Sequence, residues 1–381
     1  MGNSKDADAV VPFTFFAFRI YFDKEKRPME FFPIISLKGN PFDMGFEHGR
    51  ALNQQISANL SLYLEMIRGN TGTKEEKILE QALEFLPILQ ETAPLLVEEM
   101  EGIARGARVP IESVLVLNAR TELMSGTWLT GECTAIGLAG QRTADGRPLL
   151  AQNWDWVPRS KTGAAFFILE PVEGPRALIF GEAGQVGKIG LNEAGLGVLL
   201  NILVTGDLQI GLPVHVLLRM ILDEVDVNGA VARVRNAVRA SASHFLLGDV
   251  EGNIIGLEFT PNTCSEIFPS KDVIVHTNHF CDPSFTETDL TLSILPDTVK
   301  RFDRAQKLID QKEKWTSHEL RDVFMDHESG PTSICRHVDT SVPTHLQTET
   351  VGSFVFDLFT KRIHATYGQP CRNAYRDVSL A

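Results

Sequence analysis

Beyond the turn Gly39-Asn40-Pro41, apolar residues recur at Ile56, Leu60, Tyr63, Leu64 and Ile67, close to a helical period of roughly 3.6 residues. The spacing predicts a helix over 41–67. A second helix is predicted over 74–85, broken near Pro87, and a third over 94–105. Pro94 is tolerated in the first turn of the third, and Gly106 reads as its stop. A fourth helix, 111–122, runs into a Gly-rich loop at 126–131. At Cys133 the texture changes to short apolar runs. Strands are expected at 134–139 and 148–153, joined through the turn pair Asp145-Gly146. Further strands at 164–169, 177–180, 188–191 and 197–203 alternate with Gly-containing turns. Helical patterns at 213–222 and 228–238 precede a hairpin of 244–249 and 254–260 across Glu251-Gly252-Asn253. A strand at 273–277, helices at 297–311 and 317–324, and a hairpin of 352–359 with 362–367 complete the pattern. There is no internal repeat and no low-complexity linker. Such an order predicts antiparallel sheets covered by helices, an α+β class.

Composition narrows the partners. With 381 residues, 43% of them hydrophobic, the chain can bury a sizeable core, and its net charge of −13 disfavours nucleic acid and an acidic membrane surface. Basic pairs such as Lys26-Arg27, Lys300-Arg301 and Lys361-Arg362 read as solvated surface. The apolar patch at 10–18 follows Asp6 and Asp8 and is interrupted by Arg19, so a tail entering a strand is expected rather than a secretory signal. Gly2 fails as a myristoylation site because Asp6 stands where Ser or Thr is needed. No apolar run approaches the roughly 20 residues that span a bilayer. A cytoplasmic protein is expected; the end Ser379-Leu380-Ala381 gives only weak support to a peroxisomal address. Five widely spaced cysteines without a CxxC pair suggest free thiols rather than disulfides or zinc, so no metal and no resident cofactor are expected.

One thiol stands out. Glu132-Cys133-Thr134 lies where the Gly-rich loop becomes a strand. A thiol there can attack the carbonyl of its own preceding residue, and cleavage before Cys133 would free its α-amine. That amine, with an ordinary pKa of roughly 7.7–8.0, can serve as base for its own thiol. The alternative is a buried structural cysteine at a strand start. A hairpin folded at Asp145-Gly146 would bring Asp155, within Gln152-Asn153-Trp154-Asp155-Trp156, back beside Cys133. Asn278, in His276-Thr277-Asn278-His279, can supply an amide donor to an oxyanion, or can be a plain turn residue. Arg336, in Ser333-Ile334-Cys335-Arg336-His337, suits a carboxylate or a surface ion pair, and Trp156 joins it as a candidate substrate contact.

These segments together resemble the acyl-coenzyme A:6-aminopenicillanic acid acyltransferase (isopenicillin N acyltransferase) family of N-terminal-nucleophile (Ntn) hydrolases. The likeness is carried in order by Gly39-Asn40-Pro41-Phe42-Asp43-Met44-Gly45, Glu101 to Ala107, Leu117 to Glu122, Glu132-Cys133-Thr134 and Gln152 to Asp155. It continues through Glu182 to Lys188, Gly211 to His215, His276 to His279 and Asp326-His327 with Ser333 to His337. The resemblance implies a four-layer αββα sandwich, one domain over 1–381 made as a precursor. Cleavage between Glu132 and Cys133 would give an α chain, 1–132, and a β chain, 133–381, that stay associated. It further implies Cys133 as nucleophile, Asp155 orienting its amine, Asn278 polarising the oxyanion and Arg336 contacting a substrate carboxylate. The partners would be a small-molecule acyl donor, such as an amide or a coenzyme A thioester, and an amine acceptor or water, in small-molecule or secondary metabolism. Two positions depart from the family pattern: Glu132 stands where Gly is usual and Ala135 where Ser or Thr is usual. The competing readings are an uncleaved Cys–His amidase using His244, His276 or His279, and a non-catalytic binding protein on the same scaffold.

Overall fold

A computed structural model describes residues 31–124 and 132–380. The N-terminal tail and the Gly-rich loop at 126–131 lie outside the described residues, as does Ala381. Residues 32–381 form a single unit. Its centre is two sheets. The larger has eight strands, in spatial order Ile34–Gly39, Ala164–Pro171, Ala177–Glu182, Ile189–Asn192, Gly197–Ile202, Ser243–Gly248, Ile254–Phe259 and Cys264–Ile267. Only its first pair is parallel. The smaller sheet is ordered Val273–His276, Glu132–Leu138, Leu149–Trp156, Glu349–Asp357, Arg362–Tyr367 and Arg376–Ser379, antiparallel throughout.

Strand alternation sorts the side chains of the smaller sheet. One face packs on the larger sheet: Trp154 and Phe354 meet Phe180 edge-on and tilted, with the Phe180–Phe354 ring centroids 4.4 Å apart. The other face carries Ile136, Leu138, Ala151 and Val275 against Ala305, Ile309, Leu320 and Phe324 from the helices Asp297–Ile309 and Ser317–Val323 and the turn that follows. The N-terminal helices and Val214–Ile221 and Val227–Asn236 cover the larger sheet, which completes the αββα order. Local chemistry fixes several boundaries. The Asn40 side chain caps the first helix through the Asp43 amide, and Thr316 with Glu319 forms a reciprocal capping box.

Several expectations change. The helix expected over 111–122 is interrupted at Ala119, giving Ile111–Asn118 and Arg120–Met124. The single helix over 41–67 is two, Pro41–Ala51 and Asn53–Thr71, divided at Leu52. The first packs backbone to backbone on Pro94–Ala107. Gly106 is accordingly no stop; that helix ends at Arg108, in the left-handed region at φ 61. Gly45, Gly49, Gly102 and Gly106 are there for close approach: a Cβ on Gly102 would sit 2.2 Å from the Phe42 carbonyl oxygen, and one on Gly45 1.9 Å from that of Glu99. Gly102→Ala, favoured by about 1 kcal/mol on helix propensity alone, should instead lower unfolding stability by about 2–3 kcal/mol, read as a reduced denaturant midpoint.

Candidate active site

Cys133 is the second residue of the strand Glu132–Leu138, which lies between Val273–His276 and Leu149–Trp156. The expected hairpin forms, one residue out of the anticipated register: Asp155 stands opposite Glu132, and Cys133 opposite Trp154. The chain between these strands is longer than a two-residue turn, with a 3₁₀ turn at Gly140–Arg142 before Gly146 at φ +77. Alternation then separates two environments. The Cys133 thiol lies on the inter-sheet side with Gln152, Trp154 and Lys188. Glu132 and Asp155 point to the opposite face, towards the helix Asp297–Ile309.

On the thiol side, Cys133 is buried, and with Trp156, Lys188, Leu200 and Ile202 it lines a cavity of only about 20 Å³. That is room for about one water. Burial pushes the thiol up to about 12; the Asp155 charge adds to this, and Lys188 works against it. Lys188 itself is buried, 3.1 Å from Glu182 and over the Trp154 ring, and burial lowers its ammonium to about 7. Trp156 donates its indole N–H to the Tyr63 hydroxyl, and Arg120 stacks over both rings. A larger cleft of about 750 Å³, lined by Met44, Leu96, Glu99, Arg219 and Arg233, does not include Cys133.

On the other face lies a buried charge cluster. The Cys133 backbone N–H donates to Asn278 Oδ1 at 2.9 Å, while Asn278 Nδ2 donates to the Ile202 carbonyl at 3.0 Å. Arg301 donates to the Cys133 carbonyl at 2.8 Å, to Thr134 Oγ1 at 3.1 Å and to Asn278 Oδ1 at 3.0 Å. The same guanidinium reaches Glu132 at 2.8 Å. Arg336 binds Glu132 as well, and Asp297 at 2.5 Å. Asp155 accepts from the Thr350 hydroxyl at 2.6 Å through Oδ1. Its Oδ2 is buried without a hydrogen-bond partner, and Arg336 Nε stands 4.0 Å away. Burial raises Asp155 to about 6 and Glu132 to about 8; in both cases Arg336 and Arg301 pull downward and Asp297 pushes further up. Three carboxyl groups thus share two guanidinium ions, and the burial of so much charge raises the proton affinity of Glu132 and Asp155.

The structure therefore gathers Glu132, Cys133, Asp155, Asn278, Trp156 and Arg336 in one place, with two amendments. Arg336 is neither a surface residue nor an open receptor: Glu132 and Asp297 occupy it. Asn278 turns its oxygen, not its amide donor, to the backbone of Cys133. Sequence reading missed Arg301, expected on the surface and in fact 1% exposed, together with Thr350 and Asp297. The usable signal was weak: Asp297 and Arg301 are one helical turn apart and so share a face. The three candidate histidines have other partners. His276 bonds Glu258 at 2.9 Å, His244 meets Asn201 at 3.0 Å, and His279 contacts Thr277 and Thr298.

Comparison with known proteins places the chain as a whole. Residues 142–372 match the family model described as acyl-coenzyme A:6-aminopenicillanic acid acyl-transferase. The chain is 29% identical over 339 residues to the "Acyl-coenzyme A:6-aminopenicillanic-acid-acyltransferase 40 kDa form" of Emericella nidulans, covering 88% of this chain and 92% of that protein. Among solved structures, a mutant of conjugated bile acid hydrolase from Clostridium perfringens is similar at 16% identity and a TM-score of 0.43, over 64% of this chain and 92% of that one. Penicillin V acylase from Agrobacterium tumefaciens is similar at 17% identity and a TM-score of 0.43, over 62% and 83%. The family model spans well over half of the sequence, and the chain belongs to the acyl-coenzyme A:6-aminopenicillanic acid acyl-transferase family, enzymes that act on amide or thioester acyl bonds.

Proposed function

We propose that this enzyme is made as an inactive precursor, cuts itself between Glu132 and Cys133, and then carries acyl groups on the Cys133 sulfur. In the first event Sγ attacks the Glu132 carbonyl carbon. The C–N bond breaks, the thiol proton passes to the departing nitrogen, and a thioester forms. Water then opens it, leaving the Glu132 carboxylate and a free thiol. In the second event the same sulfur takes an acyl group from an amide or a coenzyme A thioester and delivers it to an amine or to water.

The observation that carries this reading is the buried Oδ2 of Asp155, which has no hydrogen bond and only a 4.0 Å ion pair to Arg336, one register step from a Cys133 nitrogen already held by Asn278. A buried carboxylate oxygen without a hydrogen bond is costly, and a new ammonium group is the donor it lacks. The Asn278 oxygen serves the same end, because it can accept from an amide N–H before cleavage and from an amine afterwards. Asn278 as an oxyanion donor would require its amide to turn over.

Glu132 gives the intact chain a built-in occupant. Its side chain fills the two arginines, and its departure would open Arg336 and Arg301 to a substrate carboxylate. The nearly closed cavity of about 20 Å³ fits a site shut until that departure. Intact-mass measurement of the purified protein, before and after incubation with acyl-coenzyme A esters or small amides, tests the proposal. A fragment beginning at Cys133 that gains the acyl mass is expected. Full turnover from a chain unbroken at that bond would overturn it.

A further inference from the structure

Outside the acyl-transfer machinery, four potential metal ligands converge at one point: His327, Cys335, His337 and Cys371. All four ligand atoms lie within 4.8 Å of one another. His327 Nε2 is 3.1 Å from His337 Nε2. His337 Nε2 is 3.7 Å from the Cys335 sulfur and 3.4 Å from the Cys371 sulfur, and the two sulfurs are 3.6 Å apart. We propose that these four side chains form a tetrahedral Cys₂His₂ site for a structural zinc ion.

The distances carry the argument. With metal–sulfur bonds of about 2.3 Å and metal–nitrogen bonds of about 2.0–2.1 Å, a regular tetrahedron has edges of about 3.8 Å between sulfurs, about 3.5 Å between sulfur and nitrogen, and about 3.3 Å between nitrogens. The four separations given above each fall within about 0.2 Å of those values. A disulfide explains the cluster less well. Bonded sulfurs stand about 2.05 Å apart, and a disulfide gives no reason for two imidazoles to turn their Nε2 atoms inward. Two thiolates and two neutral imidazoles select zinc over the harder cations calcium and magnesium, and they cancel its double charge. Binding releases the two thiol protons, so no oxidant or reductant is involved.

The chain around the ligands is already ordered for this purpose. Cys335 donates its backbone N–H to the Asp326 carbonyl at 2.9 Å, and its own carbonyl accepts from the Ser333 hydroxyl at 2.8 Å. His337 donates its backbone N–H to the Pro331 carbonyl at 3.2 Å. Sequence spacing conceals the site because no CxxC pair marks it, and Cys371 enters from 34 residues beyond His337. The consequence for the active site is direct. Arg336 sits between two ligands, and its backbone N–H donates to Thr350 Oγ1, the same hydroxyl that donates to Asp155. A metal fixed at Cys335 and His337 would hold that relay in place, which makes the four ligands positioning residues.

The test is metal analysis of the full-length protein purified without chelators. About one zinc per chain is expected, falling at least tenfold in Cys371→Ser and in His327→Gln. Neither position is fully buried, and Cys371 is exposed, so the variants should fold. Protein stripped under reducing conditions and given Co²⁺ should show the visible bands of tetrahedral cobalt with thiolate-to-cobalt charge transfer, weakened in Cys371→Ser. The proposal is overturned if reduced wild-type protein holds less than about a tenth of an equivalent of any metal and takes up no Co²⁺. It is equally overturned if mass analysis finds Cys335 and Cys371 joined as a disulfide in active protein.

Discussion

Cys133→Ala should yield one unbroken chain of 42.2 kDa and lose on the order of 10⁴–10⁶ in kcat/KM. The magnitude follows from removing the sulfur that would carry the acyl group. Burial pushes the Cys133 thiol up to about 12, so near neutral pH it stays protonated unless a base assists it. Lys188, on the thiol's own side of the strand, is committed to Glu182. An amine of roughly 7.7–8.0 at Cys133 would supply the base inside the same residue, and only cleavage creates it. Cys133→Ser separates the two events, because an alcohol can undergo the slower self-cleavage yet makes a poor carrier. A processed serine variant with turnover reduced by about 10³ or more is expected, measured by intact mass and initial rates. An alanine variant turning over within about tenfold of the native rate would remove Cys133 from the chemistry altogether.

What the sequence could and could not disclose divides along physical lines. The strands beside Cys133 were legible because each is a short apolar run bounded by turn residues, and the hairpin placing Leu149–Trp156 next to Glu132–Leu138 is local. The strand Ile34–Gly39 was not, since it pairs in parallel with Ala164–Pro171, far along the chain. Gly106 looked like a helix stop because a stop is the commonest use of glycine there. Its actual role, admitting the backbone at Phe46, exists only once two helices meet. The site divides in the same way. Cys133, Asp155 and Asn278 sit in segments that carry family likeness. Arg301 has no such mark; on an amphipathic helix it reads as solvent-facing until a buried carboxylate from Glu132 comes to meet it. The single-residue offset that puts Asp155 opposite Glu132 rather than Cys133 depends on the length of the connection through Gly140–Arg142. Turn signals alone do not specify that length.

Arg336→Leu should raise KM for a carboxylate-bearing substrate roughly 10- to 100-fold while leaving one that lacks the carboxylate within about twofold. A hydrogen bond to an ionised group contributes about 1.5–3 kcal/mol, and a guanidinium can make two such bonds to one carboxylate. In the intact chain this guanidinium is held by Glu132 and Asp297, so the substitution would also act on the proposed precursor. With one of its two arginines gone, the Glu132 carboxyl should favour its protonated form more strongly, because burial already drives it to about 8. That effect would appear in the rate at which the chain is cut and would touch both substrates alike. The two roles therefore separate once processing is complete. Fully cleaved Arg336→Leu protein, compared on a matched pair of substrates differing only in the carboxylate, reports binding alone. Arg336→Lys keeps the charge but loses the paired geometry, and should fall between the native and leucine proteins on the charged substrate. Equal losses on both members of the pair would assign Arg336 to holding the fold around Asp155 through Thr350. In that case the substrate's carboxylate would have to be met by another group, with Arg301 the remaining buried guanidinium of the cluster.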